Sequence, residues 1–333
     1  MHSLDHQVLS TLHSWVERKI PAWLCTIVAT HGSSPRPAGS LMACNQSGQM
    51  VGSLSGGCVE DDLLTQLQSG GFNRYPQVLE YGLSADENAR LGLPCGGYLS
   101  VLVEEVTESA LTDLADINQA LSQRRCIERT LDLASGKVHL KAAQNMRPIQ
   151  LDERQFVQVY GPGYTLLLVG AGQIAGCLAQ MAGMMDYRVL VTDPRADKLD
   201  DFRLHILEPS SGCECILGIP DDVVRAHASD PFSIVITLTH DPRIDDMALM
   251  EALTLDNFYV GALGSARTTE NRIERLKQLQ LEEDQISRLH APVGLAIGSK
   301  TAPEIAVAIL AELTLIRRAR EKAAASHPGS LEA

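Results

Sequence analysis

Apolar residues at Leu4, Val8, Leu9, Leu12, Trp15 and Val16 recur at helical spacing, which predicts an amphipathic helix between Leu4 and Ile20. Leu24 to Thr30 is a short, nearly unbroken apolar run and reads as a buried strand. Two brief apolar stretches, Ser40 to Cys44 and Gln49 to Ser53, flank Asn45-Gln46-Ser47-Gly48, the composition of a hairpin turn. Val59, Leu63, Leu64 and Leu67 give one apolar face to a helix starting near Cys58, and Tyr98 to Val106 is a further strand. A mixed α+β domain over residues 1–110 is the expectation. From Thr107 to Tyr160 the pattern weakens to one hairpin signal, Ser135-Gly136 within Leu131 to Leu140. Residues 111–160 then either close the first domain or link it to a second.

The pattern sharpens after Gly163. Thr165-Leu166-Leu167-Leu168-Val169 is a continuous apolar strand of the kind buried on both faces of a parallel sheet. A helical run to Met185 follows, then strands at Val189 to Thr192, Ile234 to Thr239 and Phe258 to Val260, and an apolar-faced helix from Ala302 to Ile316. Strands alternating with helices predict an α/β fold, a Rossmann-like doubly wound parallel sheet over residues 161–320. Residues 321–333 read as a flexible tail.

Composition removes several classes of function. The net charge of −13 disfavours nucleic acid and anionic membranes as partners. No stretch reaches the roughly 18 apolar residues of a membrane span, and Met1 to Arg18 lacks a signal-peptide pattern, so the expected location is the cytoplasm. The eight cysteines are then expected as thiols, and Cys213 and Cys215 could face one way from an extended segment.

Gly170-x-Gly172-x-x-Ala175 sits between a strong strand and a helix, which is the dinucleotide-binding fingerprint. Gly170 permits the tight turn, Gly172 lets a pyrophosphate approach the backbone, and Ala175 followed by Gly176 packs helix on strand. Gln173 opens the helix, whose first amides would face phosphate. Asp193 ends the next strand, where a carboxylate would bind a ribose hydroxyl. The strand ends share one sheet edge, so Gly170, Asp193, His240 and Gly264 should converge. His240 serves equally well as a capping or core histidine. Gly261 to Ser265 is a glycine turn opening a helix, with Arg267 ready for an anion, and Lys300 is a further candidate for phosphate.

The first domain offers a second set. His31 to Gly39 is a polar loop whose Ser33, Ser34 and Arg36 suit an anion. In Ser55-Gly56-Gly57-Cys58-Val59-Glu60, two glycines would form a backbone nest before a helix. Cys58 falls in its first turn, where the dipole favours negative charge and Glu60, Asp61 and Asp62 oppose it. Cys95-Gly96-Gly97 places another thiol beside two glycines.

Together these motifs resemble the XdhC/CoxI family of accessory proteins for molybdenum enzymes. The resemblance rests on Gly32 to Gly39, Gly56 to Glu60, Cys95 to Gly97, Val169 to Gly172, Asp193-Pro194-Arg195, Thr239-His240-Asp241, Tyr259 to Ser265, Pro292 to Leu295, Glu304 to Ala306 and Ala311 to Leu313. Gln173 replaces a frequent histidine, and Ala296 removes the carboxylate of a Gly-Leu-Asp-Ile-Gly motif. The resemblance implies a chaperone, a homodimer, that binds molybdenum cofactor (molybdopterin or its cytosine dinucleotide). It would protect the cofactor, present it to a cysteine desulfurase for sulfuration, and deliver it to a xanthine or aldehyde dehydrogenase-type molybdoenzyme. Soft thiolates suit molybdenum, so the expectation places the ligand between the domains, its nucleotide end on Gly170 to Ala175 and its metal near Cys58 or Cys95. The alternatives are an NAD(P)-dependent oxidoreductase, supported by the fingerprint and Asp193, and a protein–protein adaptor with a vestigial nucleotide site.

Overall fold

The computed structural model describes residues 4–31, 36–70, 72, 74–84, 98–208 and 211–326. The chain forms two compact units, Leu4–Pro162 and Gly163–Lys322.

In the first unit, helix α1 (Leu4–Glu17) precedes β1 (Ala22–His31), the hairpin β2 (Leu41–Asn45) and β3 (Met50–Gly52), α2 (Cys58–Gln68), β4 (Gln77–Tyr81) and β5 (Tyr98–Val106). The strands form an antiparallel sheet in the order β3-β2-β1-β5-β4. β1 is buried from Ala22 to Val28 because both of its faces are covered. Ala22 and Leu24 pack with α1, whereas Trp23, Cys25 and Ile27 pack with Val59, Leu63 and Leu67 of α2. That is the period of two expected along a strand.

The weakly patterned stretch is more ordered than its sequence suggests. It holds α3 (Leu111–Ser122), β6 (Cys126–Asp132), β7 (Val138–Ala143), β8 (Gln150–Leu151) and β9 (Gln155–Tyr160), with the sheet order β7-β6-β9-β8. The Ser135-Gly136 turn joins β6 to β7. Leu114, Ile117 and Leu121 of α3 share a core with Leu9, Leu12 and Trp15 of α1, so residues 111–160 belong to the first compact unit. β7 and β8 have almost no buried positions, which explains their faint alternation.

The second unit is a six-stranded sheet in the order β12-β11-β10-β13-β14-β15, parallel at every pairing. Its strands are β10 (Thr165–Val169), β11 (Arg188–Asp193), β12 (Glu214–Leu217), β13 (Ser233–Thr237), β14 (Tyr259–Ala262) and β15 (Leu289–His290). The connecting helices are α4 (Gln173–Met184), α5 (Ala196–His205), α6 (Pro220–His227), α7 (Pro242–Ala252), α8 (Ala266–Gln278) and α9 (Glu283–Ser287), and α10 (Ala302–Ser326) closes the unit. Leu166 and Leu168 of β10 face the core made with α4 and α10, and Leu167 and Val169 face the core of α6 and α7. This is the Rossmann arrangement. β13 ends at Thr237, so Leu238 and Thr239 lie beyond the strand. α10 also continues ten residues past the expected Ile316, held by Arg320, which stacks 4.2 Å over the Phe258 ring and donates to the Phe258 carbonyl. Among the described residues no helix is long and apolar enough to cross a membrane.

Candidate functional site

β10 pairs with β11 on one side and with β13 on the other, so the chain reverses its direction of travel across the sheet at β10. Strand ends part at such a switch point and leave a crevice at the carboxyl edge. Here it measures about 820 Å³, lined among others by Gly172, Gln173, Arg195, Lys198, His240 and Arg243.

The glycine loop is built for close approach. Gly170 has φ +115°, and a Cβ there would stand 2.6 Å from Thr239 Cγ2. Gly172 is extended and caps α4 without any side-chain cap or first-turn acid, and a Cβ placed on it would meet nothing within 4 Å. The first amides of α4 therefore open onto the crevice with no side-chain acceptor of their own. Ala175 is fully enclosed, and Gly176 packs against Ile206, whose Cγ2 would be 2.6 Å from an added Cβ.

Two strand ends carry the same tripeptide, Asp193-Pro194-Arg195 after β11 and Asp241-Pro242-Arg243 after β13. In the first, Asp193 accepts from the backbone N (3.0 Å), Nε (2.8 Å) and Nη2 (2.9 Å) of Arg195. In the second, Asp241 accepts from the same three atoms of Arg243 at 3.0, 3.1 and 2.8 Å. Each arginine is thereby fixed at the rim of the crevice by its own loop. The repeat of this tripeptide at a second strand end is the signal in the sequence for the second arginine, Arg243.

Asp193 does not present a carboxylate to a ligand. Its side chain is 0% exposed, and besides Arg195 it accepts from the Ala171 amide at 3.2 Å. Burial works against its charge, but the hydrogen bonds from Arg195 and Ala171 prevail and hold the carboxyl below its ordinary range. It braces the glycine loop, and what stands at the crevice in its place is a guanidinium. Asp241, half-buried, is brought to about 2 by the Arg243 side chain and backbone.

The crevice unites Gly170, Gly172, Gln173, Ala175 and His240, and an adjoining pocket contains Gly264 and Ser265. Gly261 is buried in β14, where a Cβ would press on Tyr259 and Val293 at 2.7 Å, so it serves packing. Arg267 is exposed and lines neither cavity; Arg272 and Arg275, further along α8, line the second one. They share a helical stripe with Thr268, a spacing that carries no sign of burial in the sequence. Lys300 lines neither cavity, and its backbone N–H donates to Glu304. Glu312 accepts from Tyr259 Oη (2.8 Å) and the Gly294 amide (2.6 Å) and pairs with His290 Nδ1 (2.9 Å), tying β14 and the edge strand β15 to α10.

In the first unit the glycine nest has an occupant from its own chain. Glu60 accepts from the amides of Leu54, Ser55, Gly56 and Gly57 and from the hydroxyls of Ser53 and Ser55, at 2.5 to 3.0 Å. Gly56 and Gly57, expected to face a ligand anion, instead bind this carboxylate, because it reaches back from the first turn of α2. Burial opposes its ionisation, yet the Ser55 hydroxyl and the nest amides bring it down to about 2. Cys58 is left exposed beside the nest, whereas every other described cysteine is buried or half-buried. Arg36 is half-buried. Ser33, Ser34, Cys95, Gly96 and Gly97 lie outside the described residues.

The chain matches a family model described as XdhC Rossmann domain over residues 166–313, and one described as XdhC and CoxI family over residues 15–82. It is 26% identical to a Bacillus subtilis (strain 168) protein named as a probable xanthine dehydrogenase subunit, over 94% of this chain and 97% of that one. It is 27% identical to the Escherichia coli (strain K12) molybdenum cofactor insertion chaperone PaoD, over 93% of this chain and 87% of that one. A crystal structure from Bacillus halodurans, described as a xanthine dehydrogenase, superposes with a TM-score of 0.74 at 28% identity, covering 96% of this chain and 97% of that one.

Proposed function

Because this chain belongs to the XdhC and CoxI family, we infer that it carries molybdenum cofactor as cargo and inserts it into a molybdoenzyme of the xanthine or aldehyde dehydrogenase type. The observation that carries this reading is the open backbone at Gly172, set between two arginines fixed by their own loops. The cargo is a pterin dithiolene ending in phosphate or a nucleotide. The residues present fit that end: the first amides of α4 and Lys198, with Arg195 and Arg243 at either side, would hold phosphate oxygens.

The finer steps belong to the same proposal. Cys58, exposed at the head of α2, supplies the soft ligand toward molybdenum, with Cys95 as the second thiol. Holding the cargo shields it from solvent and presents it to a cysteine desulfurase before transfer. A nicotinamide dinucleotide draws less support, because the carboxylate that would bind its ribose, Asp193, is enclosed.

The test is transfer. The protein, isolated anaerobically from cells that make the cofactor, is mixed with a cofactor-free molybdoenzyme of this type. Activity appearing in proportion to the pterin supplied supports the reading. A protein that carries no pterin and holds NADP instead overturns it.

A further inference from the structure

We propose that the cavity at the head of α8 is a second anion subsite, which takes a phosphoryl or oxyanion group of the ligand whose nucleotide end lies on the glycine loop. It rests on the proposed function only in assigning both groups to one ligand. The cavity measures about 470 Å³ and adjoins the crevice, since Thr239, His240, Pro242 and Leu263 line both.

Three observations point to an anion. First, α8 has no acid in its first turn, and its cap, Ser265, accepts only from the Thr268 amide at 3.2 Å and shares a hydroxyl contact with Thr268. The amides of Ala266 and Arg267 thus lead the helix without acceptors among the described residues. Second, Arg272 is 2% exposed yet incompletely bonded. Its Nη2 donates to Asp245 Oδ2 (3.0 Å) and to the Leu263 carbonyl (3.1 Å), while Nε and Nη1 have no partner among the described residues. Buried donors are seldom left so, and an external acceptor would complete the set. Third, Gly264 keeps that side of the guanidinium near the cavity. A Cβ there would lie 3.5 Å from Nη1 and 3.1 Å from Thr268 Cβ.

The acids of the cavity do not cancel this. Asp245 Oδ1 is engaged by the Thr239 amide (3.3 Å) and hydroxyl (2.7 Å), and its Oδ2 by Arg272. Arg275, which also lines the cavity, is paired with Asp246 at 2.6 Å. Formal charges therefore balance, and the site selects by directed N–H groups rather than by excess charge. An oxidised nicotinamide ring, being cationic and offering a single carboxamide oxygen as acceptor, gains little there; a tetrahedral oxyanion gains most.

Calorimetric titration of orthophosphate into protein saturated with CDP, which fills the glycine crevice, tests this. One equivalent of phosphate is expected to bind. Arg272→Lys and the exposed cap variant Ser265→Ala should each weaken it about tenfold while CDP affinity stays within about twofold. Should Arg272→Lys fail to fold, Ser265→Ala decides. No phosphate binding in the CDP-saturated protein, or equal binding in wild type and Ser265→Ala, overturns the proposal. Phosphate binding that weakens in the variants, in a protein that binds no CDP, supports the subsite and sinks the nucleotide assignment instead.

Discussion

Glu60→Gln is expected to loosen the Ser53–Gly57 loop without disturbing the rest of the chain. The wild-type carboxylate accepts from four amides and two hydroxyls. The glutamine keeps one oxygen and turns an NH2 toward the Gly57 amide, donor facing donor, while the Ser55 hydroxyl has to rotate to accept. Depression of the carboxyl from 4.5 to about 2 is worth about 3 kcal/mol, which solvent screening at this partly open loop reduces to about 2 kcal/mol. A depressed acid contributes in full above its unfolded value, and the contribution is lost as pH falls through the folded one. Wild type should therefore exceed the variant by about 2 kcal/mol at pH 7, and the gap should close between pH 4.5 and about pH 2. Both tryptophans, Trp15 and Trp23, lie in the first unit, so urea unfolding followed by their fluorescence reads that unit alone. The maleimide reactivity of Cys58 reports the loop itself. Equal urea midpoints and equal Cys58 labelling at pH 7, or a gap that persists unchanged down to pH 2, would refute the reasoning.

Gly170→Ala forces a methyl to 2.6 Å from Thr239 Cγ2 at a φ of +115°, and calorimetry should show the second unit weakened by about 2–4 kcal/mol. A full-strength transition would mean the turn is not where the structure puts it. Asp193→Asn releases Arg195 and the Ala171 amide, so CDP affinity should fall about tenfold. The depressed Asp193 carboxyl also means that wild-type CDP binding holds through the ordinary carboxylate range and weakens only as the pH falls below it. An Asn variant that binds CDP normally would show that the brace is dispensable. Cys58→Ala should retain pterin but lose most of the molybdenum, measured by elemental analysis after anaerobic purification. Unchanged molybdenum in this variant and in Cys95→Ala would remove the thiols from the metal site.

Much of the fold is legible where a segment is buried on both faces or spaced for one face. Leu24 to Thr30 and Thr165 to Val169 announce strands because helices cover both sides of their sheets. Residues 138–151 do not, because their strands bury little and their alternation carries no contrast. At the site, Gly170 and Gly176 are readable because a side chain at either would collide with the protein, and Gly172 because its spacing completes the fingerprint. Acidic residues mislead for a common reason. Asp193 and Glu60 are typical of ligand-binding positions, but each turns back to satisfy amides of its own loop, and a sequence cannot tell an internal acceptor from an external one. Arg272 escaped notice for the converse reason: it looks like a surface arginine of a polar helix, yet it is enclosed.

The central claim is that the glycine loop holds the phosphate or nucleotide end of the cargo, and Gly172→Ala tests it most directly. The added methyl meets nothing in the protein, so folding should be unaffected, but it occupies the approach to the α4 amides. Pterin and molybdenum are measured in wild type and variant after anaerobic purification from cells that make the cofactor. Wild type should hold comparable amounts of both, and a variant that melts like wild type should lose pterin about tenfold. Pterin retained at wild-type level by that variant would contradict it.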